Sequence, residues 1–339
     1  MKRKLNLGIV GFGYIGKYHY EAIEKLSDKF VIKTIFDNNL SFKEKKKIGT
    51  KAKIIKNFTL KKIPNNLDII VITSPTYLHI KFGEIAIKKS NMVIIEKPLG
   101  LNSLNAKKLI NNSIKENKKI IVVKQLRLNP YFLLVKEMIQ KNMLGKIYFF
   151  GVDIFLNRSK KYYSSSKWKG RKKFDGGTLY NQISHFIDLL YWFFAEPKKS
   201  YGTKLFDNLK NNEHSGQISL IMKDNTFASV NYSIKCYEKN LNTKFTIISE
   251  NATLEVFLDK ILVQSSNKNV EIFLKKQSRK TKNEANKFGK GFGKFYEQIY
   301  KTYFTSKPFN PSISINEDAL RSFMNLKNIN KKMRVIYND

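Results

Sequence analysis

Four small groups of residues have the types and spacing to do chemistry. The first is Gly11-Phe12-Gly13-Tyr14-Ile15-Gly16, a GxGxxG element preceded by the apolar run LNLGIV and followed by KYHYEAIEKL at helical spacing. In that strand–turn–helix context Gly11 can make the tight turn, Gly13 lets backbone approach a pyrophosphate, and Gly16 permits close helix–strand packing. The helix start then offers free N–H groups and a positive dipole to the anion. The second is Asp37, 21 positions after Gly16 at the end of the run TIFD. An acid at that distance accepts hydrogen bonds from a ribose and repels a 2′-phosphate, which favours NAD over NADP, although Lys43 and Lys45 lie nearby. The third is Glu96-Lys97-Pro98, at the end of the apolar run MVII. Carboxyl ends of parallel strands are where ligands bind, and a half-buried lysine there suits proton transfer. The fourth is Asn181 and His185, four apart on one helix face after Gly176 and Gly177. A histidine on a helix face is more often structural than catalytic, and a short EKP string alone says little in a lysine-rich chain.

The elements that must position these groups follow from periodicity. Up to about residue 125, apolar runs (LNLGIV, FVIKTIFD, LDIIVITSP, MVIIEKP, KIIVVKQ) alternate with amphipathic helical stretches. That pattern predicts a parallel sheet covered on both faces by helices. After about residue 145 the rhythm changes to strand-like runs, KIYFFGVDIFLN, GQISLIM, FASVNYSIKCY, KFTIISE, ATLEVFL, KILVQSS and VEIFLKK. They predict an α+β domain on an open, largely antiparallel sheet. Two helical stretches accompany them, GTLYNQISHFIDLLYWFF and EDALRSFMNLKNINKKM, and a polar tract over residues 275–290 reads as a loop. The expected domains are 1–125, an α/β Rossmann domain, and 126–339, for substrate and self-association, with the C-terminal helix packing back on the first.

The 339 residues carry 63 Lys and Arg against 27 Asp and Glu, a net charge of +36. So basic a chain invites a polyanion reading. Only seven of the basic residues are arginine, and the lysines are scattered, which favours a lysine-rich solvated surface with no nucleic-acid partner. Cys236 is the one cysteine, so neither a disulfide nor a thiolate metal cluster is expected; His19, His79, His185 and His214 lack metal-ligand spacing. The basic start lacks the apolar run of a secretory signal, and no stretch approaches the roughly 18 apolar residues that span a membrane. The expectation is a cytoplasmic protein without membrane or metal.

Taken together, GIVGFGYIGKYHYEAI, TSPTYLHIKFGEIAIKKSNMVIIEKPLG, GGTLYNQISHFIDLLYW and EDALRSFMNLKNINKKM resemble the glucose–fructose oxidoreductase/inositol dehydrogenase (Gfo/Idh/MocA) family over nearly the whole chain. The resemblance implies a nicotinamide-dependent dehydrogenase acting on a CH–OH group. It implies Lys97 as the catalytic lysine and His185 as its acid/base partner. The implied cofactor contacts are the glycine loop from Gly11 to Gly16, Asp37, Ser74, Pro75, His79, Glu96, Lys97 and Gln125. The implied assembly is a homodimer or homotetramer built on the open sheet.

Asn181 stands where many members of the family have aspartate. It cannot stabilise an imidazolium by charge but can hydrogen-bond a substrate hydroxyl. With KWKG (Lys167 to Gly170) upstream and Tyr237-Glu238-Lys239-Asn240 downstream, it resembles the branch that oxidises C3 of nucleotide-linked amino-sugar uronates for surface polysaccharides. Arg158, Lys169 and Lys239 are then expected to meet the substrate's anionic groups, with Lys97, Asn181 and His185. Other readings are a dehydrogenase of a free sugar, inositol or polyol, an enzyme retaining NAD through glycoside cleavage, and a non-catalytic NAD sensor.

Overall fold

Ile, Val and Leu dominate short runs that can only be buried on both faces, and these runs form the first sheet. The computed structural model describes residues 3–164, 166, 168–207, 212–241, 243–265, 269–272, 291–305, 310 and 312–338. The 275–290 tract and Lys167 lie outside the described residues. Strands β1 (Leu5–Val10), β2 (Phe30–Phe36), β3 (Lys53–Ile55), β4 (Ile69–Ile72), β5 (Met92–Ile95) and β6 (Lys119–Val122) pair in parallel in the order β6-β5-β4-β1-β2-β3. Every residue of β4 and β5 is buried, as a sheet between helical layers requires. The intervening helices are α1 (Tyr14–Glu24), α2 (Phe42–Ile48), α3 (His79–Ala86) and α4 (Ser103–Lys115). Local chemistry sets their starts: Ser41 and Glu44 form a capping box on α2, and Asn102 caps α4.

The second sheet contains β7 (Ile147–Phe155), β8 (Lys199–Asp207), β9 (Asn212–Ile221), β10 (Phe227–Ser233), β11 (Lys244–Ser249), β12 (Ala252–Val256), β13 (Ile261–Ser265) and β14 (Asn269–Ile272). Helices α5 (Pro130–Gln140), α6 (Lys160–Ser164), α7 (Lys172–Asp175) and α8 (Ser184–Phe194) lie in the same half of the sequence. Later come α9 (Phe292–Tyr303), β15 (Ser314–Ile315), α10 (Asn316–Lys332) and β16 (Met333–Asn338). The sheet order is β14-β13-β12-β11-β7-β10-β9-β8-β16. Its pairings are antiparallel except β7 with β10 and β8 with β16, so it is largely antiparallel, as its alternating runs predict. One core cluster joins α5, β7, α8 and β11: Phe132 meets Phe245 at 4.8 Å and Phe150 meets Phe193 at 5.9 Å between ring centroids.

Several elements depart from the sequence reading. Neither β8 nor β16 is included in it; β16 begins at Met333, the last residue of the stretch expected as a helix. The stretch expected as one helix from Gly177 begins with a π-helical turn, Leu179–Ile183, before α8. The chain divides into two compact units, Met1–Gln125 with Asn283–Arg321, and Leu126–Lys282 with Ser322–Asp339. The segment through α9 and β15 therefore belongs with the first unit. Helix α9 buries Phe292, Phe295, Tyr296 and Ile299, with Phe292 4.4 Å from the ring of His19 on α1, and β15 extends the first sheet antiparallel to β6. No helix among the described residues is long and apolar enough to cross a membrane.

Candidate functional site

In the first unit the glycine loop sits where β1 passes into α1. Gly11 has φ +92°, a region that L side chains rarely enter, and a Cβ there would press on the Ser74 backbone at 3.0 Å. At Gly16 a Cβ would collide with the Gly11 carbonyl, so the helix start can close on the strand only through glycine. Gly13 differs: a Cβ there meets nothing within 4 Å, leaving an open cradle against bare backbone. Helix α1 starts beside it with no side-chain cap and no acid in its first turn, leaving N–H groups and dipole available to an anion. Thr73 Oγ1 donates to the Gly11 carbonyl at 2.5 Å and ties the loop to the end of β4.

Asp37 follows β2 and its carboxylate reaches the same loop. Oδ2 accepts the Phe12 N–H at 2.6 Å and Oδ1 the Asn39 N–H at 2.7 Å. Ser74 Oγ and Gln125 Oε1 are buried with no hydrogen-bond partner among the described residues. Orphaned buried polar atoms are uncommon in a finished structure, and a bound group would satisfy these two. The cradle at Gly13, the uncapped helix start, the acid on the loop and the two orphaned oxygens fit a dinucleotide.

The structure places Glu96 and His79 behind this surface. Glu96 is 6 % exposed; its Oε1 lies 2.9 Å from His19 Nε2, and its Oε2 accepts the Lys97 N–H at 3.1 Å. His19 Nδ1 in turn lies 2.6 Å from the Tyr296 hydroxyl of α9. Burial pushes the Glu96 carboxyl up, but the hydrogen bond and charge of His19 outweigh it, and its pKa lies below the usual range. The two ring nitrogens of His79 lie 2.8 Å from the Pro98 carbonyl and 2.9 Å from the Ser74 carbonyl. The backbone on either side of Lys97 is thus held from both flanks by buried side chains. Sequence reasoning did not find Tyr296, which lies 277 positions from His19.

In the second unit Arg158 and Lys169 share the ring of Tyr162, Asn181 is tied to Asp175, and Lys239 lies in an exposed turn, linked to Arg158 through its sequence neighbour Asn240. Arg158 lies 5.2 Å and Lys169 Nζ 4.8 Å from the Tyr162 ring centroid. Burial, then the Arg158 charge, lowers the Lys169 pKa. Arg158 Nε and Nη2 both donate to Gln182 Oε1, at 2.9 and 2.8 Å, and Gln182 Nε2 donates to the Tyr162 hydroxyl at 2.8 Å. Arg158 Nη1 also donates to Asn240 Oδ1 at 3.2 Å, which tethers the exposed turn carrying Lys239. Asn181 lies in the π-helical turn and donates through Nδ2 to Asp175 Oδ2 at 3.1 Å. His185, 7 % exposed, opens the next turn. Gln182, Tyr162 and Asp175 were not found in the sequence. Asp175-Gly176-Gly177 carries a turn signal, but nothing local shows what the carboxylate holds.

Glu213 of β9 anchors the same turn from below. Its carboxylate accepts the Leu179 N–H, and Lys204 Nζ lies 3.7 Å from its Oε2. Burial pushes the Glu213 carboxyl up against the opposing Lys204 charge. π-Helical turns occur often at functional sites, and this one places Asn181 just ahead of His185.

Comparisons with known proteins agree with this architecture. Residues 5–125 match the model of the oxidoreductase family with an NAD-binding Rossmann fold (GFO_IDH_MocA), and residues 132–255 match a C-terminal domain of the same family (GFO/IDH/MocA). The WlbA dehydrogenase from Chromobacterium violaceum, solved in complex with NADH and UDP-GlcNAcA, superposes with a TM-score of 0.82 and 25 % identity, covering 98 % of this chain and 94 % of that one. Oxidoreductase P35 of Formosa agariphila is 24 % identical over 58 % of this chain and 62 % of its own length. The scyllo-inositol 2-dehydrogenase (NADP(+)) IolW of Bacillus subtilis is 24 % identical over 57 % of this chain and 53 % of its own. The chain thus spans less than two thirds of the length of these curated relatives. With both units matched in order, the chain belongs to the Gfo/Idh/MocA oxidoreductase family, and its first unit is that family's NAD-binding Rossmann fold.

Proposed function

We propose that this chain is an NAD-dependent dehydrogenase that oxidises a ring carbinol of a nucleotide-linked sugar uronate. The observation that carries the substrate class is the pair of cations on Tyr162, Arg158 and Lys169, in one network with the turn that leads to His185. Two half-buried cations at one ring suit a diphosphate or a carboxylate better than a neutral polyol. The likeness to a WlbA dehydrogenase holding UDP-GlcNAcA supports the same reading.

Oxidation takes a proton from the carbinol oxygen and a hydride from the carbon that bears it. Bound NAD supplies the hydride acceptor. Lys97 stabilises the developing alkoxide by charge, and His185 or Lys97 takes the hydroxyl proton. Asn181 accepts a hydrogen bond from the sugar. Gly11 to Gly16 and the start of α1 hold the pyrophosphate, Asp37 the adenosine ribose, and Ser74 and Gln125 the remaining polar edge of the dinucleotide.

The reading is tested by absorbance at the reduced-nicotinamide band with a panel of UDP-sugars, UDP-uronates and free inositols. Reduction of NAD by a UDP-uronate is expected. Turnover of free inositols alone would give the polyol reading instead, and absence of turnover with NAD bound would give a sensor.

Asp37 carries a separate expectation. Native protein should bind NAD at least about tenfold more tightly than NADP, because a carboxylate facing a 2′-phosphate is repulsive. Asp37→Asn keeps an acceptor for the Phe12 N–H and removes the charge, so the preference should narrow by about tenfold, or roughly 1.4 kcal/mol. Calorimetric titration with both nucleotides reads this, and an unchanged ratio would remove Asp37 from cofactor choice.

A further inference from the structure

Asp175, at the end of α7, is 1 % exposed, and three donors converge on its carboxylate. Oδ2 accepts the Gly170 N–H at 2.6 Å and Asn181 Nδ2 at 3.1 Å; Oδ1 accepts the Gly177 N–H at 2.9 Å. Gly170 and Gly177 have φ +72° and +88°, so backbone that most residues could not adopt wraps one side chain. Around that carboxylate run the backbone just after Lys169 and the amide of Asn181.

An ionised carboxylate only accepts hydrogen bonds, whereas a carboxamide has one donating and one accepting end. Contact with Asp175 therefore decides which way the Asn181 amide faces: Nδ2 toward Asp175, carbonyl Oδ1 away from it. We propose that Asp175 is a positioning residue that fixes Asn181 as a hydrogen-bond acceptor for a substrate hydroxyl, while holding the Gly170 backbone that sets the place of Lys169. Asn181 then does not relay a proton; it reads a hydroxyl. The carboxylate lies one hydrogen bond behind it and never touches the sugar. Burial pushes the Asp175 carboxyl above its usual range against the three donors, whose placement on both of its oxygens is what makes it the accepting partner behind the amide.

The inference rests on the sugar-dehydrogenase reading, and native turnover in the UDP-sugar panel separates the failure of one from the failure of the other. Asp175→Asn, Asn181→Ala and the double variant are compared, using the UDP-sugar that the native protein oxidises. Asp175→Asn sets amide against amide and frees Asn181 to turn its donor outward. Its KM for the UDP-sugar should rise about tenfold or more, the scale of one lost hydrogen bond to a buried polar group, with a smaller change in kcat and an unchanged Kd for NAD. In the Asn181→Ala background the same replacement should change KM by less than about twofold, because a residue that acts through another has nothing left to act on. Equal effects of Asp175→Asn in both backgrounds, or an unchanged KM in the single variant, would overturn the proposal. Should Asp175→Asn not fold, the exchange Asp175→Asn/Asn181→Asp carries the test. It keeps one carboxylate and one amide in contact with an acceptor toward the sugar, so KM should stay within about fivefold of native. A KM as high as that of Asn181→Ala would again overturn the proposal.

Discussion

Replacing Lys97 with methionine is expected to lower kcat for whichever sugar the native protein oxidises by about 1,000-fold, within the 10²- to 10⁴-fold range that positioned proton transfer and charge stabilisation supply. Methionine keeps an unbranched apolar stem and removes only the ammonium. The backbone at this position is set independently of the side chain. Its N–H is taken by Glu96, itself held by His19, and the Pro98 carbonyl is held by His79. The variant should therefore fold and bind NAD with Kd within about threefold of native, since the glycine loop and Asp37 are untouched. Loss of kcat with retained NAD affinity is the result that places Lys97 at the reacting carbon. Lys97→Arg should recover little, because a planar guanidinium fork does not occupy the place of a compact ammonium. A fall of less than tenfold in Lys97→Met, measured under saturating sugar and NAD, would assign the chemistry to His185 alone.

The second large effect is on stability. Asp188→Ala is expected to destabilise the second unit by about 3–5 kcal/mol, because it leaves the Arg127 guanidinium buried without its carboxylate. Arg127 is fully buried, and its Nε and Nη2 donate to Asp188 Oδ2 and Oδ1 at 2.9 and 2.7 Å. Ser322 of α10 donates to the same carboxylate at 2.5 Å, and the guanidinium lies 5.9 Å from the Trp192 ring centroid. The pair thus joins the start of the unit, α8 and α10, and α8 begins with Ser184 and His185. Both tryptophans, Trp168 and Trp192, lie in this unit, so their fluorescence during urea unfolding follows it and not the Rossmann unit. Removing both charges together, as Arg127→Met/Asp188→Leu, should cost less than Asp188→Ala, since no uncompensated ion remains. A single-variant loss below about 1 kcal/mol would mean that the guanidinium reaches water or another acceptor when the carboxylate is gone.

Periodicity predicted the parallel sheet because β4 and β5 are apolar at every position, a local property of the chain. It missed β8 (KSYGTKLFD) and β16 (MRVIYN) because these sit at one end of the second sheet and carry lysine, arginine and exposed tyrosine between their apolar residues. Their strand state comes from pairing with each other and with β9, which no window of sequence contains. The same reason explains α9. Its sequence shows an amphipathic helix at most, and only the burial of Tyr296 beside His19 assigns it to the first unit.

What the sequence determined by itself is the set of local features that depend on near neighbours: the GxGxxG turn, the acid 21 residues later, the lysine at a strand end and the histidine on a helix. Each needs only its own strand or helix to be recognisable. The tertiary structure alone decided what stands behind them. Glu96 pairs with His19 across 77 positions, Arg127 with Asp188 across 61, and Glu213 takes the Leu179 N–H across 34. Buried charges and polar groups must find partners when water is lost, and the chain supplies those partners from wherever the fold brings them near.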